Sequence, residues 1–395
     1  MKKLDYLIIG SGIVGLTIAR EIQLQEKNSK ILIIEKEDRI GQHASGRNSG
    51  VLHSGIYYEK NSLKAKFTKE GNKLWKEYCS YRNIKIDNCG KLIVPTSDQD
   101  SENLKILKTR AKENNIDFEE LDQKQVSEIE RKIKYFDKTL FIKSTTTVNP
   151  VDILKKLLHE YIECGGAIHF SQEFKFLRKE SVIKVNGEQI EAGFVINAAG
   201  LYADKIAKQF GFSAKHTLLP FKGLYLHSNT LKINSHVYPV PDLRYPFLGV
   251  HMTKTLDGYG KIGPTAIPAF WRENYSGFKR FKLSEFLNIS LREIGLILSN
   301  KNFRDLSKQE IWKFNKKRLI NEVSKMIKIS HEDQFNYSLK PGIRAQLVNT
   351  DSGELVMDFL VEGNNKSVHI LNAISPAFTS AIPFAKYILK NYVWK

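Results

Sequence analysis

The stretch GQHASGRNSGVLHSGIYY, at positions 41–58, places titratable side chains beside unusually bare backbone. His43, Arg47 and His53 stand among glycines and serines, and the stretch follows neither a helical nor a strand periodicity. Histidine exchanges protons near neutral pH, and glycine lets a flat ligand lie against the main chain. The composition therefore predicts a loop that contacts a ligand and contributes a side chain for proton transfer.

A second cluster of glycines follows the first apolar run of the sequence. The run LDYLII suits a buried parallel strand, and GSGIVG follows it directly with Gly10, Gly12 and Gly15 in G-x-G-x-x-G register. Gly10 would allow the tight turn, Gly12 the close approach of a pyrophosphate, and Gly15 the packing of helix on strand. The spacing predicts a dinucleotide-binding turn.

The elements around this turn complete the fingerprint. A helix is predicted from Ile13 and Val14 onward, and the N–H groups of its first turn would face the phosphates. A second strand, ILIIE, ends in Glu35, which can accept hydrogen bonds from ribose hydroxyls, with Lys36 beside it. An acid at this place disfavours NADP because it would repel the additional phosphate, but it does not separate NAD from FAD.

Two later junctions have the same strand–turn–helix form. EAGFVINAAG ends a strand at Ala199 and Gly200, and SVHILNAISPAFTSAIPFAKYILK repeats the arrangement near the end of the sequence. The candidate cofactor contacts in this last junction are Ser375, Pro376, Ala377, Thr379 and Ser380. The junctions favour FAD and one nucleotide-binding domain assembled from separate segments. Ordinary strand–helix connections with no ligand are the alternative.

The remaining segments predict a second, inserted domain. Residues 218–265 show strands separated by turns, whereas 280–330 return to a helical pattern. The predicted fold class is α/β, with a Rossmann-like FAD-binding domain assembled from separate segments and an inserted α+β substrate domain built on an antiparallel sheet. The FAD-binding domain is assigned to residues 1–85, 146–217 and 340–395, and the substrate domain to 86–145 and 218–339.

The charge balance bears on partners and location. The formal net charge of +18 comes from lysines spread along the chain, which suits an anionic substrate, nucleic acid or an acidic membrane surface. A lysine-rich composition without such a partner is the alternative. The sequence has no zinc-finger, RNP-like or CxxC pattern, so neither nucleic acid nor a metal is predicted. Three scattered cysteines indicate reduced thiols in a cytoplasmic protein, and no uncharged apolar run has the length of a membrane span.

The segment KQEIWKFNKKRLINEVSKMIKIS predicts one helix with an apolar and a basic face. Trp312, Leu319, Ile320, Val323 and Ile327 fall near one face, with lysines opposite. Such a helix can lie on an anionic membrane, which would make the protein peripheral on the inner face of the cell membrane. A domain helix with a solvated basic face is the alternative.

Over its whole length the sequence resembles the FAD-dependent L-2-hydroxyglutarate dehydrogenase/oxidase family, within the D-amino-acid-oxidase-like flavoproteins that include glycine oxidase. The resemblance is carried by GSGIVG, GRNSGVLHSGIYY, DNCGKLIVPTS, VINAAG, LPFKGLYLH, YPVPDLRYPFLGVHMTK, PGIRAQ and SPAFTSAIP. It implies FAD, with the adenosine end near GSGIVG and Glu35. It also implies that the isoalloxazine ring lies along Asn48, Ser49, Gly50 and Val51, and that Ser375 through Ser380 approach the flavin from the C-terminal side.

The same resemblance implies oxidation of L-2-hydroxyglutarate to 2-oxoglutarate. A hydride passes from the substrate α-carbon to flavin N5, a base takes the hydroxyl proton, and a quinone or oxygen receives the electrons. A neutral histidine suits the base, so His53 is the first candidate and His251, in FLGVHMTK, the second; a packed histidine is the alternative at each. Arg344 in PGIRAQ stands where related oxidases place a carboxylate-binding arginine, the alternative being a surface arginine.

A dicarboxylate substrate needs a second cation, for which Lys222 and Arg47 are candidates. Both depart from the family pattern, because Arg47 stands where His is common and Lys222 where Arg is common; Leu224 likewise replaces a common acid. These departures bear on substrate specificity and not on the flavin. Tyr57 and Tyr238 either add hydroxyl contacts or only pack.

Other functions stay open on the sequence alone. An amine oxidase for glycine or sarcosine-like substrates, or an oxidase of glycerol 3-phosphate, would use the same fold. A basic flavin-binding protein would dock on nucleic acid or membrane without turnover, and an NAD-dependent dehydrogenase would share the first fingerprint. Convergence of His53 and Arg344 on one cavity would favour the enzyme. The oligomeric state is not predicted.

Overall fold

A computed structural model describes residues 2–134, 138–175, 182–185, 188–338 and 340–394. The α-helices within these ranges are α1 (Ile13–Gln25), α2 (Leu63–Tyr81), α3 (Asp100–Glu113), α4 (Gln123–Ile129), α5 (Pro150–Glu163), α6 (Ala203–Gln209), α7 (Leu283–Ser299), α8 (Lys301–Ile311), α9 (Lys316–Ser324) and α10 (Ala377–Ile388). Among the described residues, no helix is both long and apolar enough to cross a membrane.

The strands are β1 (Lys2–Ile9), β2 (Ile31–Ile34), β3 (Val51–Leu52), β4 (Ile86–Asp87), β5 (Lys91–Val94), β6 (Glu119–Leu121), β7 (Thr139–Ile142), β8 (Thr146–Val148), β9 (Ala167–His169), β10 (Val182–Val185), β11 (Glu188–Asn197), β12 (His216–Gly223), β13 (Leu226–Lys232), β14 (His236–Pro239), β15 (His251–Lys254), β16 (Tyr259–Gly263), β17 (Ile267–Pro268), β18 (Phe335–Tyr337), β19 (Gly342–Asn349), β20 (Leu360–Gly363) and β21 (Ser367–Asn372).

A parallel sheet carries the nucleotide fingerprint. Its order is β20-β21-β11-β1-β2-β9, in which β21, β11, β1, β2 and β9 run parallel, while β20 and the attached β10 run antiparallel. Ile8 packs in one hydrophobic cluster with Leu16 of α1, whereas Leu7 packs on the other face with Ile206 of α6. Burial on both faces explains the continuous apolar runs of β1 and β2. The carboxyl ends of the parallel strands meet at one edge, where such sheets bind ligands.

A second large sheet has the order β18-β13-β16-β15-β14-β5-β7-β6. Its neighbours are antiparallel except for β14 and β5, which pair in parallel through His236↔Lys91. This pair joins strands from residues 86–145 to strands from 218–339. The inner face packs against α9, because Met252 shares a hydrophobic cluster with Leu319 and Val323.

A ladder between distant segments positions the arginine of PGIRAQ. Strands β12 and β19 pair antiparallel, with Phe221 opposite Arg344 and Gly223 opposite Gly342. With β17 they form a three-stranded sheet, while β3, β8 and β4 form another. Because side chains alternate along a strand, this register decides which of them can face a common site.

The prediction of one helix over KQEIWKFNKKRLINEVSKMIKIS is wrong. Helix α8 ends at Ile311, a short 3-10 turn covers Trp312–Phe314, and α9 starts after Asn315. The Asn315 side chain accepts from the N–H of Lys317 at 2.8 Å, which caps a new helix and interrupts the old one. As a result Trp312 is 61% exposed while Leu319 is fully buried, so the two do not share one face.

Candidate active site

The glycines of GSGIVG are required for different reasons. Gly10 has a φ of +103°, and a Cβ there would lie 2.7 Å from the carbonyl oxygen of Ala198. A Cβ on Gly15 would lie 2.1 Å from the carbonyl oxygen of Gly10, so packing excludes a side chain. On Gly12 the added Cβ would meet, among the described residues, only the Ser45 hydroxyl at 3.1 Å. Gly12 therefore leaves space at the start of α1, where phosphates can approach the backbone.

Glu35 is held in place at the end of β2. The N–H and hydroxyl of Ser11 donate to its Oε2 at 2.9 and 2.8 Å, and the N–H of Glu37 donates to its Oε1 at 3.0 Å. A carboxylate has about four acceptor positions, so lone pairs remain for ribose hydroxyls. Beside it, the ammonium of Lys36 pairs with Glu37 and, at 2.6 Å, with Glu273, which neutralises its charge.

A cavity of about 460 Å³ is lined from all three strand–turn–helix junctions. Of the predicted cofactor residues, those in its lining are Gly10, Gly12, Ile13, Val14, Glu35, Lys36, Asn48, Ser49, Val51, Ala199, Gly200, Ser375, Pro376, Ala377 and Thr379. The predicted catalytic and substrate residues in its lining are His53, His251, Arg344 and Arg47. Those outside the lining are Gly15, Gly50, Ser380, Lys222, Tyr57 and Tyr238. His53 and Arg344 thus converge on one cavity.

Two predicted cofactor residues serve the packing of the chain instead. Gly50 has a φ of +75°, and a Cβ there would lie 2.4 Å from a carbonyl oxygen of β8, so glycine lets β3 approach that strand. The hydroxyl of Ser380 is buried 3.3 Å from that of Thr68 on α2. Thr379, by contrast, lines the cavity, and its hydroxyl accepts from the N–H of His53 at 3.1 Å. Helix α10 therefore fixes the backbone of His53.

His53 and His251 are buried and neutral near pH 7. Burial, with a smaller contribution from the charge of Lys91, lowers the pKa of each to about 3. Nδ1 of His251 lies 2.9 Å from the carbonyl oxygen of Gly249; because a carbonyl only accepts, Nδ1 carries the proton and Nε2 keeps a lone pair. The His251 ring stacks on Tyr238, with centroids 3.7 Å apart. Nδ1 of His53 has no hydrogen-bond partner within the described part of the chain.

Arg344 reaches the cavity from β19. Its Nε donates to Gln346 at 3.3 Å, its guanidinium lies 4.8 Å from the ring centre of Phe247, and its Nη2 is buried without a partner among the residues described. Burial lowers the pKa of Arg344 to about 10, which leaves it charged at neutral pH. A buried cation with a free donor is costly unless an anion pairs with it, and a carboxylate matches the guanidinium in two hydrogen bonds.

The two cations predicted for a second carboxylate are placed differently. Lys222 stands between Phe221 and Gly223, which both line the cavity, so alternation along β12 directs Lys222 away from it. Arg47 lines the cavity, but its Nε and Nη1 donate to two backbone carbonyl oxygens at 2.5 and 3.2 Å. Its guanidinium also lies 4.2 Å from the ring centre of Tyr275. The Nη2 group of Arg47 makes no hydrogen bond to the described part of the chain.

A buried lysine that the sequence analysis misses lies beside the predicted tyrosines. Lys91 on β5 is 0% exposed, and its Nζ has no hydrogen-bond partner in the described ranges. It lies 4.3 Å from the ring centre of Tyr57 and 5.2 Å from that of Tyr238, whose hydroxyls are also buried without partners there. Burial lowers the pKa of Lys91 to about 7. The signal in the sequence is a lysine at the start of the apolar run KLIV.

A second lysine is missed in the same way. Lys261 on β16 donates to the backbone carbonyl oxygen of Asn48 at 3.3 Å, and its ammonium lies 3.9 Å from the ring centre of Tyr225. Burial lowers the pKa of Lys261 to about 8. It therefore adds positive charge beside the NSG segment that the family resemblance assigns to the flavin ring.

One acidic cluster has the composition of a metal site. Ligand atoms of Glu37, His43 and Glu273 lie within 4.8 Å of one another. Arg280 bonds to both carboxylates, and the ammonium of Lys36 does the same. The two cations balance the two carboxylates, so the charges are satisfied without a metal ion.

Comparison with known proteins identifies the family to which the chain belongs. Residues 5–388 match the family described as DAO, FAD dependent oxidoreductase. The chain is 34% identical over 401 residues to L-2-hydroxyglutarate dehydrogenase of Escherichia coli K12, covering 98% of this chain and 92% of the relative. It is 34% identical over 412 residues to the mitochondrial L-2-hydroxyglutarate dehydrogenase of Homo sapiens, covering 97% and 87%.

Solved structures agree on the fold. FAD-bound L-alpha-glycerophosphate oxidase from Mycoplasma pneumoniae aligns with a TM-score of 0.74 at 22% identity, covering 99% of this chain and 96% of that one. Glycine oxidase from Geobacillus kaustophilus aligns with a TM-score of 0.69 at 14% identity, covering 99% and 94%. The predicted fold class and family resemblance are confirmed.

Proposed function

Because the chain belongs to the DAO family of FAD-dependent oxidoreductases, we propose that it oxidises L-2-hydroxyglutarate to 2-oxoglutarate. The observation that carries the proposal is the convergence of a charged, partly unpaired Arg344 and two neutral histidines on the cavity that starts at the nucleotide fingerprint. An acid with a hydroxyl on its α-carbon needs these two functions together, a carboxylate anchor and a proton acceptor.

The residues along the cavity fit FAD. The gap at Gly12 would admit the pyrophosphate to the first turn of α1, and Glu35 would accept from the adenosine ribose. Asn48, Ser49 and Val51 line the same cavity and would lie against the ring. When bound, FAD accepts the hydride that leaves the substrate α-carbon.

The substrate is held by its carboxylates. Arg344 would bind the carboxylate next to the reacting carbon through two parallel hydrogen bonds, with Phe247 supporting the guanidinium plane. For the second carboxylate we assign Arg47, because of the two predicted cations only Arg47 lines the cavity, and its Nη2 donates to no residue in the described ranges.

His53 is assigned as the base. It is neutral at working pH, its Nδ1 has no partner among the described residues, and α10 holds its backbone through Thr379, so the ring can take the hydroxyl proton without first losing one of its own. His251 offers Nε2 as an acceptor with a fixed orientation, set by its bond to Gly249 and its stacking on Tyr238. We propose that His251 orients the substrate hydroxyl.

The acceptor of the electrons is a quinone or oxygen, and the location that fits is the cytoplasm or its membrane face. Assays of reoxidation by a soluble quinone and by dissolved oxygen, compared on the same reduced enzyme, separate the two acceptors. The faster of the two identifies the acceptor that the enzyme is built to use.

The test of the proposed reaction is an anaerobic titration of the FAD-loaded protein. L-2-hydroxyglutarate should bleach the visible flavin absorbance and yield one 2-oxoglutarate per flavin, whereas the D-enantiomer, glycine, sarcosine and glycerol 3-phosphate should not. The variant Arg344→Met should bind FAD and stay coloured with the same substrate. Bleaching by glycerol 3-phosphate or an amine, and not by L-2-hydroxyglutarate, would contradict the proposal.

A further inference from the structure

Helix α7 exposes its apolar face to solvent and buries its acidic face against the protein. The side chains of Leu283, Leu287, Leu291, Ile294 and Leu298 are between 51% and 74% exposed. At 100° per residue these five positions fall within about 80° of the helix circumference, so they form one continuous row. The row faces solvent in the described structure, whereas a helix of a globular protein normally turns such a row toward the core.

The opposite face of α7 is buried and carries carboxylates. Glu285 and Glu293 are each 4% exposed, and Ile289 between them is 5% exposed. Glu285 accepts from Lys205 at 2.7 Å and from the backbone N–H of Arg272 at 3.2 Å, which ties this face to the body of the protein. The orientation of α7 is therefore fixed by specific bonds, and the leucine row cannot rotate inward without breaking them.

Exposed aromatic residues also lie before α7 and after α8 in the sequence. Phe278 is 83% exposed just before α7, and Trp312 and Phe314 are 61% and 60% exposed after α8. We call these three residues and the five of the leucine row the α7 surface. Apolar groups exposed in such number within one segment mark an interaction site.

Within the segment that contains α7 and α8, the exposed charges have one sign. From residue 276 to 318, all of which are described, every exposed charged side chain is a lysine or arginine; Lys279, Lys282, Arg292 and Lys301 are examples. The acids in this range are buried, apart from the half-buried Asp305. The partner must therefore offer an apolar layer bordered by negative charge.

We propose that the α7 surface docks on an anionic phospholipid membrane, with its leucines and aromatics at the level between headgroups and acyl chains. A bilayer supplies both required features over an extended plane, and the 17-residue α7 is about 25 Å long, long enough to lie along it. A second copy of this chain fits less well, because pairing two such surfaces would bring lysines and arginines against each other.

Helix α8 connects this surface with the cavity. Glu310, in its last turn, lines the cavity and accepts from the N–H of Ala266 at 2.8 Å, whereas the next residues, Ile311 and Trp312, are 56% and 61% exposed. Docking would thus bring one wall of the cavity close to the membrane, where a lipid-soluble electron acceptor dissolves. This consequence rests on the proposed function, but the docking itself does not.

The experiment is flotation of the FAD-loaded protein with vesicles of equal parts phosphatidylglycerol and phosphatidylcholine, compared with phosphatidylcholine alone. We expect partitioning at least about ten-fold greater into the anionic vesicles, weakened by salt. The double variant Leu287→Ser/Leu291→Ser should lose about ten-fold or more of this partitioning. The matched control Leu24→Ser/Tyr81→Ser changes two apolar residues exposed elsewhere, by 56% and 78%, and should stay within about two-fold.

A charge series tests the basic border separately. Lys279→Gln, Lys282→Gln and Arg292→Gln should each lower partitioning about five-fold at low salt, whereas Lys73→Gln and Lys143→Gln on other exposed sites should not. The flavin absorbance and the dye-linked activity of every variant report folding and catalysis independently of membranes. Equal partitioning into both vesicle types, or equal losses in control and test variants, would overturn the proposal. So would a dimer in light scattering that Leu287→Ser/Leu291→Ser dissociates.

Discussion

Around the cavity, polar side chains are buried without partners, whereas on the α7 surface apolar side chains are exposed to solvent. Nδ1 of His53, Nη2 of Arg344, Nζ of Lys91 and the hydroxyls of Tyr57 and Tyr238 all lack hydrogen-bond partners in the described chain. The first region takes polar atoms out of water, and the second leaves hydrocarbon in it. The first arrangement costs free energy on folding, and the second forgoes the stabilisation that burial would give.

Other parts of the molecule show that the chain can satisfy such groups. The guanidinium of Arg272 is buried too; its Nη1 and Nη2 donate to Asp204 at 2.7 and 2.8 Å, while its Nε has no partner in the described chain. Ile289 on α7 is buried in the ordinary way. Each of the two regions matches the ligand that we propose for it: a small anion for the cavity, and an extended anionic surface for α7.

The largest effect is expected at the cavity, from Arg344→Met. The variant removes the donor for the carboxylate and leaves the binding of FAD intact, so kcat/KM for L-2-hydroxyglutarate should fall about a thousand-fold, or about 4 kcal/mol. Steady-state kinetics with an artificial dye acceptor measure this. Arg344→Lys keeps the charge without the two parallel bonds and should recover only part of the loss. If Arg344→Met keeps kcat/KM within about ten-fold of the parent enzyme, then Arg344 does not bind the substrate carboxylate, and its unpartnered Nη2 does not mark a ligand site.

A smaller loss is expected from His53→Asn. If His53 takes the hydroxyl proton, kcat should fall about a hundred-fold with little change in KM, because the base acts in the transition state. His251→Asn should lower kcat less and raise KM more, since His251 orients the hydroxyl. Rapid-reaction measurement of flavin reduction, which isolates the chemical step, decides between the two. The opposite ranking would exchange the two assignments.

Lys91→Met should stabilise the protein while it changes the pH profile. Burial holds the pKa of Lys91 at about 7, below its ordinary 10.5, so the unfolded chain binds a proton that the folded chain disfavours. Removing the amine should raise the free energy of unfolding by about 2 kcal/mol at pH 7, a gain that declines as the pH rises from about 7 and is lost by about 10.5. The charge of Lys91 also lowers the pKa of His53, so its loss should move the acid limb of kcat/KM to higher pH.

Urea unfolding at pH 7 and pH 10.5, with kcat/KM profiles of the same variant, measures both effects. Lys143→Met is the control, since Lys143 is exposed and pairs with Glu119 at the surface. If Lys91→Met lowers the free energy of unfolding and leaves the acid limb of kcat/KM unchanged, Lys91 stabilises the fold by packing and does not influence His53.

The fingerprint was predictable because it is local. Gly10, Gly12, Gly15 and Glu35 act within one strand–turn–helix–strand unit, and spacing alone relates them. The family resemblance added the cofactor and directed attention to Arg344. The individual roles of the site residues stay predictions until variants are measured.

What the sequence could not give depends on distant pairing. Lys222 faces away from the cavity because of the register of β12 against β19, and no local pattern encodes that register. Lys91 and Lys261 escape notice because a lysine in a strand is usually solvated at its tip. The row of leucines on α7 predicts a helix face but not what covers it, since burial depends on neighbours elsewhere in the chain.

The smallest effect should come from the α7 surface. Leu287→Ser and Leu291→Ser remove apolar side chains that are 51% and 67% exposed, so the free energy of unfolding should change by less than about 0.5 kcal/mol in solution. Ile289→Ser on the buried face of the same helix should cost about 3 kcal/mol, because it leaves a cavity and buries a hydroxyl. Urea unfolding of the three variants measures the contrast. If the leucine variants lower the free energy of unfolding as much as Ile289→Ser does, protein covers the leucine row in solution. The contrast between the cavity and the α7 surface would then not hold.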